Sequence, residues 1–113
     1  DMMEAIQSPV YTMALGNAMS MASLILAAGE KDHRKALKHS TIMIHQGSTI
    51  CEGKFSDIKS GAKRMVETEE MIEELYVKYT GKTKRKIHAD LQMDLFLSSD
   101  KAVEYGLIDE VVE

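Results

Sequence analysis

A single cysteine, Cys51, leaves the chain without any internal disulfide and favours a reducing compartment. Proline occurs once, and no Pro- or Gly-rich linker divides the sequence, so residues 1–113 are expected to form one folding unit. The most apolar stretch near the start, Ala18 to Gly29, is too short to span a bilayer and is interrupted by Ser20 and Ser23. No charged segment followed by an apolar core opens the chain, so no secretion signal is read. A start at Asp1 in place of Met points to processing or truncation upstream. The formal net charge of −4 gives no overall attraction to nucleic acid or to an anionic membrane, so neither is expected as a partner. These absences favour the cytoplasm, or the matrix or stroma of an organelle. What is present is an ordinary globular composition, 44% apolar and 28% charged, with enough apolar residues for a core.

The order of elements is read from periodicity. Val10 to Leu15 is a short, partly β-branched apolar run ending at Gly16, and reads as a buried strand. Ser20 to Ala28 is apolar almost all round, which predicts a buried helix stopped at Gly29. Glu30 to Ser40 is charged and expected to face solvent. Thr41 to His45 (TIMIH) reads as a second short strand, and Gln46 to Gly53 as a loop. Ile58, Ala62, Met65, Val66, Ile72, Leu75, Tyr76 and Tyr79 recur at spacings of three and four, which predicts a helix over 54–79. At about 1.5 Å per residue it would reach about 39 Å, longer than a small domain needs, so a partner is expected to meet it. Ser98 is placed to cap a short helix running to Tyr105, with Gly106 as its stop, and Leu107 to Val112 reads as a last strand. The fold class expected is mixed α/β.

Nine serines, four histidines and seven aspartates permit so many Ser-His-Asp combinations that residue type alone selects none. Position selects better. Ser20 lies where a strand gives way to a buried helix, a junction with free backbone N–H groups beside an outward side chain. The helix end could stabilise an oxyanion formed there. A serine at such a place is more often a helix cap than a nucleophile. The surrounding Ala18-Met19-Ser20-Met21-Ala22 is also not the GxSxG elbow of α/β-hydrolases. His45 ends the TIMIH strand, where an imidazole could shuttle a serine proton, although a core histidine bonded to backbone is the commoner case. Asp94 lies among Met93, Leu95, Phe96 and Leu97, and a carboxylate buried there needs a partner such as an imidazole. Asp90 competes for the same role. His33 and His39 fall in the charged segment and are expected to be solvated. His88 has no Cys or His partner at ligand spacing, so no metal site is expected. The basic run Lys82 to Lys86 lacks interleaved aromatics and reads as a solvated face.

Taken together, these segments resemble the proteolytic subunit of the Clp protease, the ClpP family, along essentially the whole chain. Gly16-Asn17-Ala18-Met19-Ser20-Met21-Ala22 is similar to the family's nucleophile motif G-x-A-x-S-M-[GA], followed by Ala28-Gly29-x-Lys31. Ile42-Met43-Ile44-His45-Gln46 is similar to its histidine motif, and Thr80-Gly81 to the end of its long helix. Asp94-x-Phe96-Leu97-Ser98 and Ala102-Val103-Glu104-Tyr105-Gly106-Leu107-Ile108-Asp109 are similar to its aspartate motif and C-terminal signature. The separations, 25 residues from Ser20 to His45 and 49 from His45 to Asp94, are those of the family without gaps.

The resemblance implies a crotonase-like fold of β-β-α units and a serine endopeptidase with Ser20 as nucleophile, His45 as base and Asp94 as the orienting acid. It implies that the backbone N–H of Met21 is one oxyanion donor. The other would come from a glycine-rich turn upstream of Asp1, which makes this an N-terminally truncated peptidase domain. It further implies two stacked heptameric rings, a tetradecamer, with helix 54–79 at their junction. Unfolded polypeptide would be delivered by an AAA+ unfoldase that uses ATP, with no cofactor in this subunit. Two departures stand out: the family's proline after His-Gln is Gly47 here, and its glycine-rich strand reads Ser48-Thr49-Ile50-Cys51-Glu52-Gly53. Three other readings stand beside the peptidase: a catalytically silent scaffold subunit, a phage-type protease maturing capsid protein, and an acyl-CoA-handling crotonase enzyme. The last uses the fold without such a triad.

Overall fold

The computed structural model describes residues 1–113. A four-residue helical turn, α1 (Met2–Ala5), precedes two chain segments of the same form. In the first, β1 (Thr12–Ala14) bends through Leu15 and Gly16 into β2 (Asn17–Met19), which runs into helix α2 (Met21–Ala27). In the second, β3 (Arg34–Leu37) bends into β4 (Thr41–Ile44), and a loop leads to helix α3 (Phe55–Thr80). β1 pairs in parallel with β3, Thr12 opposite Arg34, and β2 pairs in parallel with β4, Asn17 opposite Thr41. Each strand therefore lies beside its counterpart, and the two strands of one unit belong to different sheets. This is the β-β-α repeat that the family resemblance implies; periodicity alone places a single strand before each helix.

The rest of the chain completes both sheets. After α4 (Lys84–Leu91), β5 (Leu95–Ser98) adds antiparallel to β4, with Ile42 opposite Leu97. Helix α5 (Ser99–Tyr105) follows, and β6 (Glu110–Val112) adds parallel to β3. The sheet orders are β1-β3-β6 and β2-β4-β5, so β3 and β4 are the central strands. They carry the fully buried Ala36, Ile42 and Ile44, which pack in one cluster with Ala27, Tyr76, Ile87, Leu91, Ala102 and Leu107 from the helices and the turn after α5. No helix is long and apolar enough to cross a membrane.

The charged segment before Ser40 is solvated only in part: Glu30, Lys31, Asp32, Lys38 and His39 are exposed as expected, but residues between them are not. It forms β3, and Arg34 is only 2% exposed. A buried guanidinium survives only if it is paired and hydrogen-bonded. Arg34 donates from Nε and Nη2 to both carboxylate oxygens of Asp109, at 2.8 and 2.7 Å. Its Nη1 donates to the carbonyls of Ala27, Tyr79 and Gly106, at 3.1, 3.0 and 3.0 Å. Those carbonyls lie at the C-terminal ends of α2, α3 and α5, where helix dipoles place negative charge. One cation thus gathers three helix ends. Gly106 is required at this node: its φ is +94°, and a Cβ there would lie 2.5 Å from the carbonyl oxygen of Thr80.

β1 also departs from expectation, because it is an edge strand with its outer face uncovered: Met13 and Leu15 are exposed and only Ala14 is inside. The long helix agrees with its prediction to one residue at each end. Its start is fixed by the Asp57 carboxylate, which accepts the Lys54 N–H at 3.0 Å. Its last turns pack on the core through Tyr76, with Ile72, Leu75, Val77 and Tyr79 beside it, whereas Phe55, Ile58, Val66 and Met71 stand exposed. The projection makes the molecule elongated, 52 × 32 × 25 Å.

Candidate active site

The strand β2 ends at Met19 and α2 begins at Met21, so Ser20 alone makes the turn. Its φ of 57° and ψ of −128° form a combination rarely adopted by any residue other than glycine. The neighbours hold it there. The Ser20 N–H donates to the Met43 carbonyl at 2.9 Å, extending the β2–β4 pairing by one residue. The Ser20 carbonyl accepts from the Ser23 hydroxyl at 2.6 Å, the Ser23 N–H at 3.0 Å and the Tyr76 hydroxyl at 3.4 Å.

Ser20 occupies the cap position of α2, yet its side chain makes no capping hydrogen bond. Its Oγ lies instead 2.9 Å from His45 Nε2. The Ser20 hydroxyl is directed at His45 and not at the N-terminus of α2. His45 follows directly on β4, the strand paired with β2, so parallel pairing brings residues 25 apart in sequence into contact. The other ring nitrogen, Nδ1, lies 3.2 Å from Asp94 Oδ1, and Asp94 stands just before β5 on the opposite side of β4. The candidate residues Ser20, His45 and Asp94 thus form a continuous chain of contacts across three adjacent strand ends.

Asp94 reached this chain for a reason different from the one expected. It is not buried among its apolar neighbours, since its side chain is 63% exposed. The antiparallel register of β4 and β5 is what brings it to His45. Its competitor, Asp90, is occupied elsewhere, accepting from the Tyr105 hydroxyl at 2.6 Å and lying 3.2 Å from Lys86 Nζ. The remaining histidines lie apart from Ser20. His33 stacks on Tyr11 with ring centroids 3.9 Å apart, and His88 Nδ1 lies 2.6 Å from Glu73 Oε1. No group of three His, Cys, Asp or Glu side chains is arranged to hold a metal ion.

Met21, the first residue of α2, has an N–H with no intrahelical acceptor. The peptide linking Ser20 to Met21 is planar and trans, so its N–H points opposite to its carbonyl. With the carbonyl held inward by Ser23 and Tyr76, the N–H points the opposite way, out from the start of α2. Neither Ser23 nor Tyr76 was singled out in the sequence, where Tyr76 reads only as part of an apolar helix face. The available signal was its hydroxyl, because a buried phenol usually finds a hydrogen-bond partner. Burial pushes its ionisation upward, against the opposing effect of the Ser23 hydrogen bond, and the charge of Glu69 raises it further.

Beyond His45, a groove of about 790 Å³ opens between the 46–52 segment, α3 and α4, with Gly47, Met65, Val66, Glu69 and His88 on its walls. The Gly47 N–H donates to Glu69 Oε1 at 2.8 Å, a bond that proline could not make. The glycine-poor segment after it forms no strand. A protein-family model described as Clp protease matches residues 1–113, the whole chain.

Proposed function

The chain belongs to the Clp protease family, a family of peptidases, and from that premise we propose that it is a serine endopeptidase acting through Ser20, His45 and Asp94. The observation that carries this reading is the 2.9 Å contact between Ser20 Oγ and His45 Nε2, made by a serine whose side chain caps nothing. A serine hydroxyl is a weak nucleophile until a neighbouring base takes its proton. His45 Nε2 accepts that proton as Ser20 Oγ attacks the peptide carbonyl, then returns it to the departing amine. Asp94, beside Nδ1, favours the tautomer with Nε2 free and offsets the charge of the imidazolium. The Met21 N–H donates to the oxyanion of the tetrahedral intermediate.

Within this reading the substrate is unfolded polypeptide, cut to small peptides and delivered by an AAA+ unfoldase. ATP is consumed by that partner and not by this subunit. Seven copies form a ring and two rings stack, with α3 at the junction, a role its exposed Phe55, Ile58, Val66 and Met71 support. The compartment that fits is the cytoplasm, or the matrix or stroma of an organelle.

The test is reaction with a serine-directed fluorophosphonate, the adduct mapped by mass spectrometry. A single adduct on Ser20, absent in Ser20→Ala and strongly reduced in His45→Ala, is the expected result. No adduct in folded, assembled protein would instead leave a silent scaffold subunit as the better account.

A further inference from the structure

Ser23 and Tyr76 carry buried hydroxyls whose hydrogen bonds converge on the Ser20 carbonyl. The Ser23 hydroxyl is 2.6 Å from that oxygen and 2.7 Å from the Tyr76 hydroxyl. Each hydroxyl has one proton. The carbonyl can only accept, so at least one of the two protons is directed at it, from Ser23 at 2.6 Å or from Tyr76 at 3.4 Å, while the other can bridge the hydroxyls. Each donor in such a chain polarises the next, and the chain is strongest away from water. Ser23 is fully buried and Tyr76 is 2% exposed.

We propose that Ser23 and Tyr76 are positioning residues for the reaction, holding the Ser20–Met21 peptide so that the Met21 N–H faces the developing oxyanion. This rests on the peptidase reading above. Strain at Ser20 gives the peptide a reason to move. Turning its plane over would bring Ser20 towards the left-handed basin that a positive φ ordinarily occupies. The same rotation would carry the Met21 N–H away from the site. Anchoring the carbonyl opposes that rotation and fixes the donor before substrate arrives. Because Tyr76 belongs to the last turns of α3, the long helix is tied directly to the nucleophile turn.

The experiment compares the full chain in its assembled form with Tyr76→Phe, Ser23→Ala and the double variant. Fluorogenic peptide hydrolysis gives kcat and KM, and a peptide boronate, whose serine adduct is tetrahedral, reports oxyanion binding. Loss of a single oxyanion donor costs roughly 10²- to 10³-fold, so loosening one is expected to lower kcat by about tenfold. KM should stay level, boronate affinity should fall in parallel with kcat, and the double variant should lose no more than the worse single one. A purely structural role would lower the denaturation midpoint without that parallel fall. Should one variant fail to fold, the other decides, since both hydroxyls belong to one chain. If the parent reacts with fluorophosphonate at Ser20 while the folded variants keep its kcat and boronate affinity within about twofold, this inference alone is overturned. A parent that takes no label overturns the peptidase reading and this inference with it.

Discussion

Arg34 and Ser20 both sit where strands meet helix ends, and each draws polar partners from distant parts of the chain. Arg34 is sealed: it is 2% exposed, and each of its three guanidinium nitrogens has an acceptor. Ser20 is divided. Its carbonyl is held by Ser23 and Tyr76, while its hydroxyl stands open with His45 as its one partner. A closed network away from water strengthens its own bonds and has no free group with which to react. An open one leaves a lone pair and a mobile proton. On the proposed reading, the contrast between these sites is that between holding a fold and doing chemistry, and it can be tested from both sides.

The largest effect is expected at the open site. Ser20→Ala should lower peptide hydrolysis by on the order of 10⁶-fold. Its unfolding free energy in urea should change by less than ~0.5 kcal/mol, since no buried contact of the side chain is lost. A large stability change would break the comparison. The closed site should behave in the reverse sense. Arg34→Met should cost about 3–5 kcal/mol in urea unfolding, because Asp109 and three helix carbonyls lose their partner. Hydrogen bonds from Arg34 hold the Asp109 carboxyl below the usual carboxylate range. A lowered folded-state pKa contributes stability above the pH at which free aspartates titrate, and that stability is lost as pH falls through the folded value. Arg34→Met should therefore flatten the acid side of the stability profile.

Asp94→Asn should cost on the order of 10²-fold in kcat/KM, less than removal of a sequestered triad carboxylate, because Asp94 is 63% exposed and well screened. A loss of 10⁴-fold, on the scale known for a buried triad aspartate, would show that Asp94 closes on His45 in the working state. The smallest effect concerns a surface network. The Glu4 carboxylate lies 2.6 Å from Lys78 Nζ and 2.5 Å from the Tyr79 hydroxyl. Burial first, then the bond to Glu4, pushes Tyr79 ionisation up to about 12. Glu4→Gln should bring that titration down, as read by ultraviolet absorbance.

Local signals in the sequence were faithful where local forces decide. Ser98 caps α5 by accepting the Lys101 N–H at 3.3 Å, and the apolar recurrence at three and four located α3. His45 was legible because a short β-branched run leads straight into it. Signals failed where a distant partner decides. Arg34 read as solvated because Asp109, which allows its burial, lies 75 residues away. β2 and β5, of three and four residues, escaped notice because their order comes from pairing with β4 and not from their own composition. α4 was missed behind its run of basic residues, although Thr83 caps it by accepting the Lys86 N–H at 3.2 Å. Asp94 was singled out by an argument from burial, and its place comes from strand register instead.

The node at Arg34 also bears on how the protein is made. During synthesis from the N-terminus, β1 to β4 and α3 are all complete before Asp109 has been added. Until then the guanidinium has no carboxylate to meet, and β3 lacks its outer neighbour β6. Closing a contact across 75 residues is slow compared with forming a helix or a local turn. Breaking the salt bridge is expected to speed unfolding more than it slows folding, the behaviour of a latch and not of a nucleus, as urea-jump kinetics of Asp109→Asn would read.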